Sequence, residues 1–547
     1  MAKKQGQNYM HGAAILTVGV LIMKVLGMIY KIPLGNLLGD DGYSLFIGAY
    51  NIYNIFFTLA TAGLPVAVSR LIAEADARGA VAQEEKTFRV ALKTFAVLGL
   101  VFSSLMFFFP EWLASSYLEN PDAALSIKAM SPAILLVCLV SAYRGYCQGN
   151  GNMIPTTVDE VLEVLFKAIF GLVIAAVLLG MGFDKTVGSA GAILGVSIGS
   201  VVSLGYMVVY KKLNYASLSG PYTAGKHATV RREEREQVDS DLTIVKNILR
   251  IGVPIAFGAC VLSLLNSIDS KLCMNRLQEA AGFSYQEAKV LYGVYGKAQT
   301  IFNLPAAIIT PLTIAIVPAI SAACARKDRG SAAKVSEDSM RIAAVLAMPM
   351  GVGLAVMSQP IMALLYPSSH ASGGTLLMIM GISSIFVCML LMLNAVLQAY
   401  GCERFTMITL IIGGIIKVGV NFFLVAQPGI HIYGAPVGTL VSYVVMCTMD
   451  YVYMVRRLDR APNPVRVLAK PLIGSALMGV SAWGVYGLCR GIVGAPGWGA
   501  AALSTMLAIL AAAAVYLVCV ICTGMVTLED LSLIPGGKKL GRLLHIR

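Results

Sequence analysis

Charge is scarce in this 547-residue chain. Asp, Glu, Lys and Arg make up 13% of it, about half the share of an ordinary soluble domain. A body with so little charge cannot cover itself with a hydrated surface, which excludes a water-soluble globular protein. The five histidines (His11, His227, His370, His431, His545) are far apart and form no HExxH, so a metal site has no support. The 11 cysteines lie mainly inside apolar runs, and the one CxxC, Cys519 with Cys522, has no second ligand pair at matching spacing. That pair reads as core packing. The outward loops are short and carry no His/Asp/Glu cluster, which argues against a membrane-embedded transferase or hydrolase. Neither catalytic residues nor a cofactor are expected.

Apolar sequence fills the space that charge leaves. Hydrophobic residues reach 57% and the mean hydropathy is +0.75. With 54 glycines and 26 methionines, the composition fits helices packed on helices in lipid. A span needs about 20 apolar residues, because the bilayer core offers backbone groups no water. Fourteen such runs are present, near 13–38, 44–69, 90–110, 125–147, 155–182, 187–210, 243–274, 290–322, 338–358, 372–399, 405–426, 432–455, 468–489 and 497–523. The first follows Lys3 and Lys4, exceeds a signal-peptide core and lacks a small-residue cleavage pattern, so it reads as a retained helix.

The basic residues orient these spans. Of 42 Lys and Arg, 31 are assigned to the N-terminus, the even-numbered loops with the span ends that adjoin them, and the C-terminal tail, against four opposite: Lys185, Arg276, Lys289 and Arg490. The positive-inside rule then predicts a multi-pass cell-membrane protein with both termini cytoplasmic. The net charge of +13 follows from this topology, and nucleic-acid binding is not expected.

An internal repeat organises the chain. Gln148, Thr156 and Lys167 recur as Gln398, Thr406 and Lys417 at a shift of 250, and Arg78-Gly79 recurs as Arg329-Gly330 at 251. Ala190-Gly191-Ala192 with Gly195 resembles Tyr433-Gly434-Ala435 with Gly438 at 243. Six spans per repeat is an even number, so the halves share one orientation, related by an axis along the membrane normal. The expected fold is all-α and polytopic. It comprises an N-terminal six-helix lobe at 1–210, a cytoplasmic linker at 211–242, a second six-helix lobe at 243–457, two extra helices at 458–523 and a cytoplasmic tail at 524–547.

Seven basic residues remain in or at the ends of spans: Lys24, Lys31, Lys128, Lys167, Lys271, Lys297 and Lys417. A charge at mid-bilayer costs at least about 2.5 to 3.5 kcal/mol, so it normally faces a wet cavity or a partner. Lys24 and Lys31 are seven apart, which puts them within about 20° of one helix face. The alternative for Lys31 is snorkelling toward a headgroup. Lys297 sits among small neighbours in YGVYGKAQTIFNLP. Asp159, Glu163 and Lys167 recur every fourth residue, which suits either an internally neutralised ladder or a coupling-ion site. Asp269 is the other acidic candidate, and Lys271, two residues on, cannot face it from the same helix. Cations outnumber carboxylates in this reading, which favours an anion such as a diphosphate joining lipid to sugar.

Four stretches carry a family likeness: MKVLGMIYKIPLGNLLG at 23–39, AGLPVAVSRLIAE at 62–74, YRGYCQGNGNMIPT at 143–156, and YGVYGKAQTIFNLP with VPAIS between 292 and 321. At these residues the chain resembles the MOP exporter superfamily, and within it the stage V sporulation protein B-like, MurJ-type lipid II flippases (polysaccharide biosynthesis proteins). The resemblance implies two six-helix lobes around a central cavity open to one side at a time, with the last two helices shaping a groove for a polyprenyl tail. It implies a flippase for a lipid-linked glycan, working among membrane lipids with or without a coupling ion. It places cavity cations at Lys24 and Lys297, with Lys31 displaced by one residue from the usual second position. IFFTLATAG has no counterpart of the arginine that Gram-negative relatives carry in the second helix. Another lipid-linked polysaccharide exporter is the alternative. A multidrug cation antiporter is the rival within the superfamily, but it would need carboxylates where this chain has lysines.

Overall fold

The computed structural model describes residues 2–218, 238–326, 328–457, 463–493 and 498–525. Most of the expected linker and nearly all of the expected tail lie outside them. Every regular element among the described residues is helical.

α1 runs Ala2–Thr61 and is broken at Gly39, whose φ of 72° and ψ of −174° lie in a region that excludes side-chain-bearing residues. α2 (Leu64–Arg78), α3 (Val81–Phe108), α4 (Ala124–Gly149), α5 (Ile154–Gly180) and α6 (Lys185–Leu218) follow. α7 is Asp241–Glu279, α8 Tyr285–Ala325, α9 Arg329–Val356, α10 Ser358–Leu365, α11 His370–Ala399, α12 Glu403–Leu424 and α13 Gly434–Arg457. α14 (Pro464–Val493) and α15 (Trp498–Thr523) close the order.

Among the described residues, 12 segments are long and apolar enough to cross a membrane. One of them, Gly19–Ala77, joins the first two expected runs from residue 19 onward, and the expected eighth run falls in α8, which is not among the 12. The remaining expected runs each match one segment. This is a multi-pass, all-helical membrane protein.

The chain divides into two compact units, Met1–Lys271 and Leu272–Arg547. In the first, α2 packs on α3 and α4, α3 on α4, α4 on α6, and α5 on α6. In the second, α8 packs on α9 and α11, α9 on α11, α11 on α13, and α12 on α13. These five pairings recur in the second unit, while α1 packs in addition on α4, α5 and α6 of the first. The backbone repeats too. α4 ends with Gly151 N–H on Gln148 O (3.0 Å) and Asn152 N–H on Cys147 O (3.0 Å). α11 ends with Gly401 N–H on Gln398 O (2.9 Å) and Cys402 N–H on Leu397 O (2.9 Å). Both are Schellman turns, with the left-handed residue supplied by Gly151 (φ 73°) and Gly401 (φ 75°). These positions keep the shift of 250 found in the sequence.

Lipid gives helices no hydrophobic reason to associate, so close backbone approach must hold them. Gly191, Gly195 and Gly199, four apart on α6, supply it. A Cβ on Gly195 would press into the Gly171 backbone and lie 2.8 Å from Lys167 O, and one on Gly199 would lie 2.5 Å from Glu163 O. In the second unit a Cβ on Gly438 would strike the Asn421 side chain and come 3.3 Å from Lys417 O. In each unit, therefore, a glycine helix seats the helix that carries the intramembrane lysine.

Candidate functional site

Within the first unit, α1 and α5 bring two of the expected lysines to one aromatic ring. An aromatic stripe at spacings of three and four runs down α1: Tyr43, Phe46, Tyr50, Tyr53 and Phe57, with successive ring centroids 5.4 to 5.9 Å apart. Lys31 Nζ lies 5.6 Å from the centroid of Tyr50, and Lys167 Nζ lies 5.9 Å from it. Lys167 also donates to the Tyr50 hydroxyl at 3.4 Å. Lys31 and Lys167 are both half-buried, and among the described residues neither is ion-paired to a carboxylate. The cations that act electrostatically on Lys31 are Lys167 and Lys24. Lys24 itself is exposed, between the exposed apolar side chains Ile22 and Val25. Ammonium groups gathered inside apolar helices without an ion-paired carboxylate, with a phenol to order them, present a site for an anion.

The carboxylates of α5 behave differently. Asp159 is fully buried, and its Oδ2 accepts from Arg144 Nε at 2.9 Å and from Ser203 Oγ at 2.9 Å. Glu163 Oε2 accepts from Arg144 at 3.1 Å, and its Oε1 accepts from Ser200 at 3.4 Å. Glu160 Oε1 stands 3.5 Å from the same guanidinium. Arg144 of α4 is thus the ion-pair partner of the acidic ladder, and Lys167, though Glu163 acts on it electrostatically, makes no ion pair with it among the described residues. Arg144 falls inside the expected run 125–147 and so belongs with the intramembrane basic residues, among which the sequence reading names only lysines. It lies in the YRGYCQG stretch, close to the end of an apolar run, and a planar fork that can serve two carboxylates at once is the signal that could have found it.

The other candidates are spread out. Asp269 is buried near the end of the first unit. Lys271 donates to Ser116 O at 2.8 Å and lies 3.8 Å from Glu119, so it clamps a loop. Lys128 is exposed, with its amine 4.9 Å from the Phe107 centroid. Within the second unit Lys297 is fully buried, donates to Ser369 Oγ at 3.1 Å and lies 5.3 Å from the centroid of the equally buried Tyr366. Its amine is held inside the protein. Among the described residues no group of His, Cys, Asp and Glu is arranged to hold a metal ion.

Helices that recur in two units, with lysines gathered inside them, define a polytopic, all-helical membrane protein. The chain superimposes on the solved inward closed conformation of the lipid II flippase MurJ (TM-score 0.69, 13% identity, 94% of this chain and 99% of that one). It also superimposes on an inward-facing multidrug resistance MATE family transporter of the MOP superfamily (TM-score 0.63, 16% identity, 81% and 98%). The chain belongs to the polysaccharide biosynthesis protein family, whose sequence profile matches residues 9–324. It is 26% identical over 441 residues to stage V sporulation protein B of Bacillus subtilis (strain 168), covering 80% of this chain and 82% of that one. It is 24% identical over 492 residues to the lipid II flippase MurJ of the same organism, covering 86% and 87%.

Proposed function

We propose that this protein is a flippase that carries an undecaprenyl-diphosphate-linked cell-wall precursor, with lipid II the first choice, from the cytoplasmic to the outer leaflet by alternating access. It is a transporter and performs no covalent chemistry. The observation that carries the reading is the pair Lys31 and Lys167 on Tyr50, with Lys24 acting on it. Two or three lysines inside the spans with no carboxylate ion-paired to them among the described residues suit a diphosphate and would repel an organic cation. The carboxylates that a multidrug antiporter would need in its cavity are tied to Arg144. The diphosphate is held by the lysines while the polyprenyl tail stays in lipid, and both termini are cytoplasmic, as the 31 to four distribution of basic residues supports. The closer identity to a stage V sporulation protein than to a named lipid II flippase keeps a second lipid-linked glycan as the alternative substrate.

The test is depletion of the protein in its host, followed by extraction and quantification of lipid-linked intermediates in the cytoplasmic leaflet. Accumulation of lipid II supports the first reading, and accumulation of a different undecaprenyl-linked glycan supports the second. No accumulation of either would refute both.

A further inference from the structure

The second unit answers the Arg144 cluster with a deficit. At the shift of 250, Arg144 and Asp159 correspond to Asn394 and Thr409. The helix on which α5 packs corresponds to α13, and α13 carries its own acid, Asp450. Asp450 is fully buried, and neither of its oxygens has a hydrogen-bond partner. Thr409 of α12 acts on it, but that hydroxyl donates to Thr406 O at 3.0 Å, and one proton cannot serve both. The thiol of Cys447, one turn back on α13, lies close to it, and Cys388 on α11 lies close to Cys447. Asn394 brings an amide where the first unit has a guanidinium, and its Oδ1 is buried without a partner. Among the described residues no Lys, Arg or His pairs with Asp450.

An ionised carboxylate in such a place has no counter-charge and at best one hydroxyl, shared with Thr406 O, to donate to it, a cost far above that of binding a proton. Each unpartnered buried polar group needs an explanation, and here one proton removes the charge. We propose that Asp450 is a proton-binding site of the C-terminal unit, where the N-terminal unit has a fixed arginine. The two lobes thereby differ in kind: one carries a permanent ion pair and the other an exchangeable charge. Asp450 lies seven residues before Arg457, the last residue of α13, about 10 Å along the helix. A modest opening of that end would connect it to water. A proton that binds only in one conformation shifts the balance between conformations, so this site would give a transporter a means of responding to the proton gradient.

The experiment uses the full-length protein in lipid nanodiscs and infrared difference spectra between neutral and alkaline pH, read at the C=O stretch of protonated carboxyls. The wild type should show a band at neutral pH that Asp450→Asn loses and Asp159→Asn keeps. Asn394→Arg, which copies the first unit's solution, should also abolish the band while Asp450 is still present. A band of wild-type intensity in Asp450→Asn overturns the proposal. Should that variant fail to fold, an unchanged band in Asn394→Arg overturns it instead. Loss of the wild-type band on exchanging potassium for sodium at fixed pH would assign the carboxylate to sodium, and the proton site would be wrong. None of these readings requires knowing what the protein transports.

Discussion

Lys167 on α5 donates to the hydroxyl of Tyr50 on α1 at 3.4 Å, although the two are 117 residues apart. The phenol oxygen orients the amine without neutralising it, so the charge remains available to an anion. If the lysines around this ring bind diphosphate, Lys31→Ala and Lys167→Ala should each abolish complementation of a flippase-depleted strain while the protein stays in the membrane. Arg at either position should retain part of the activity, and Glu should be worse than Ala. Normal complementation by both Ala variants would end the cationic-site reading.

Lys24 and Lys297 need separate tests. Lys24→Ala should impair transport with no change in thermal stability, since its exposed side chain holds nothing in place. Lys297 is fully buried on Tyr366 and Ser369, so Lys297→Met conserves most of its packing while removing the charge. Transport by purified protein in vesicles should fall for Lys297→Met. Full activity would make its amine a structural donor only.

Arg144 holds two buried carboxylates at once. Removing it leaves both charges without their partner, a loss of about 3 to 5 kcal/mol for breaking a buried pair. Thermal unfolding in detergent should show Arg144→Ala strongly destabilised and Arg144→Lys intermediate, because an ammonium cannot form the planar fork. The triple variant Arg144→Ala, Asp159→Asn, Glu163→Gln should recover much of the loss. A single Arg144→Ala as stable as the wild type would contradict the burial of the cluster.

The glycine seam between α5 and α6 predicts steric failure. Gly195→Val would drive a side chain into the Gly171 backbone, and that contact cannot yield without parting the helices. Gly205, where an added Cβ meets nothing within 4 Å, is the control. Folded yield in the membrane should collapse for Gly195→Val and hold for Gly205→Ala.

Orientation is open to direct measurement on a background cleared of native cysteines. Lys185→Cys should react with an impermeant thiol reagent added from outside, and Arg232→Cys should not. The opposite pattern would reverse the topology and with it the direction of transport.

The sequence by itself determined the membrane class, the run of helices, the 250-residue repeat and the family. These depend on local composition and on spacing along the chain, and a bilayer reads both one segment at a time. The Schellman turns at Gly151 and Gly401 kept the shift that Gln148 and Gln398 had announced. Partnership was different. Glu163 and Lys167 are a favourable i,i+4 pair on paper, yet Glu163 turns to Arg144 from another helix and Lys167 turns to Tyr50. Asp450, inside the expected span 432–455, is marked in the sequence by its charge alone, which says nothing of its partners. Its isolation comes from what α11 and α12 place around it. A charge buried in lipid is governed by whichever groups the packed helices bring within a few ångströms, and only the tertiary structure decides which those are.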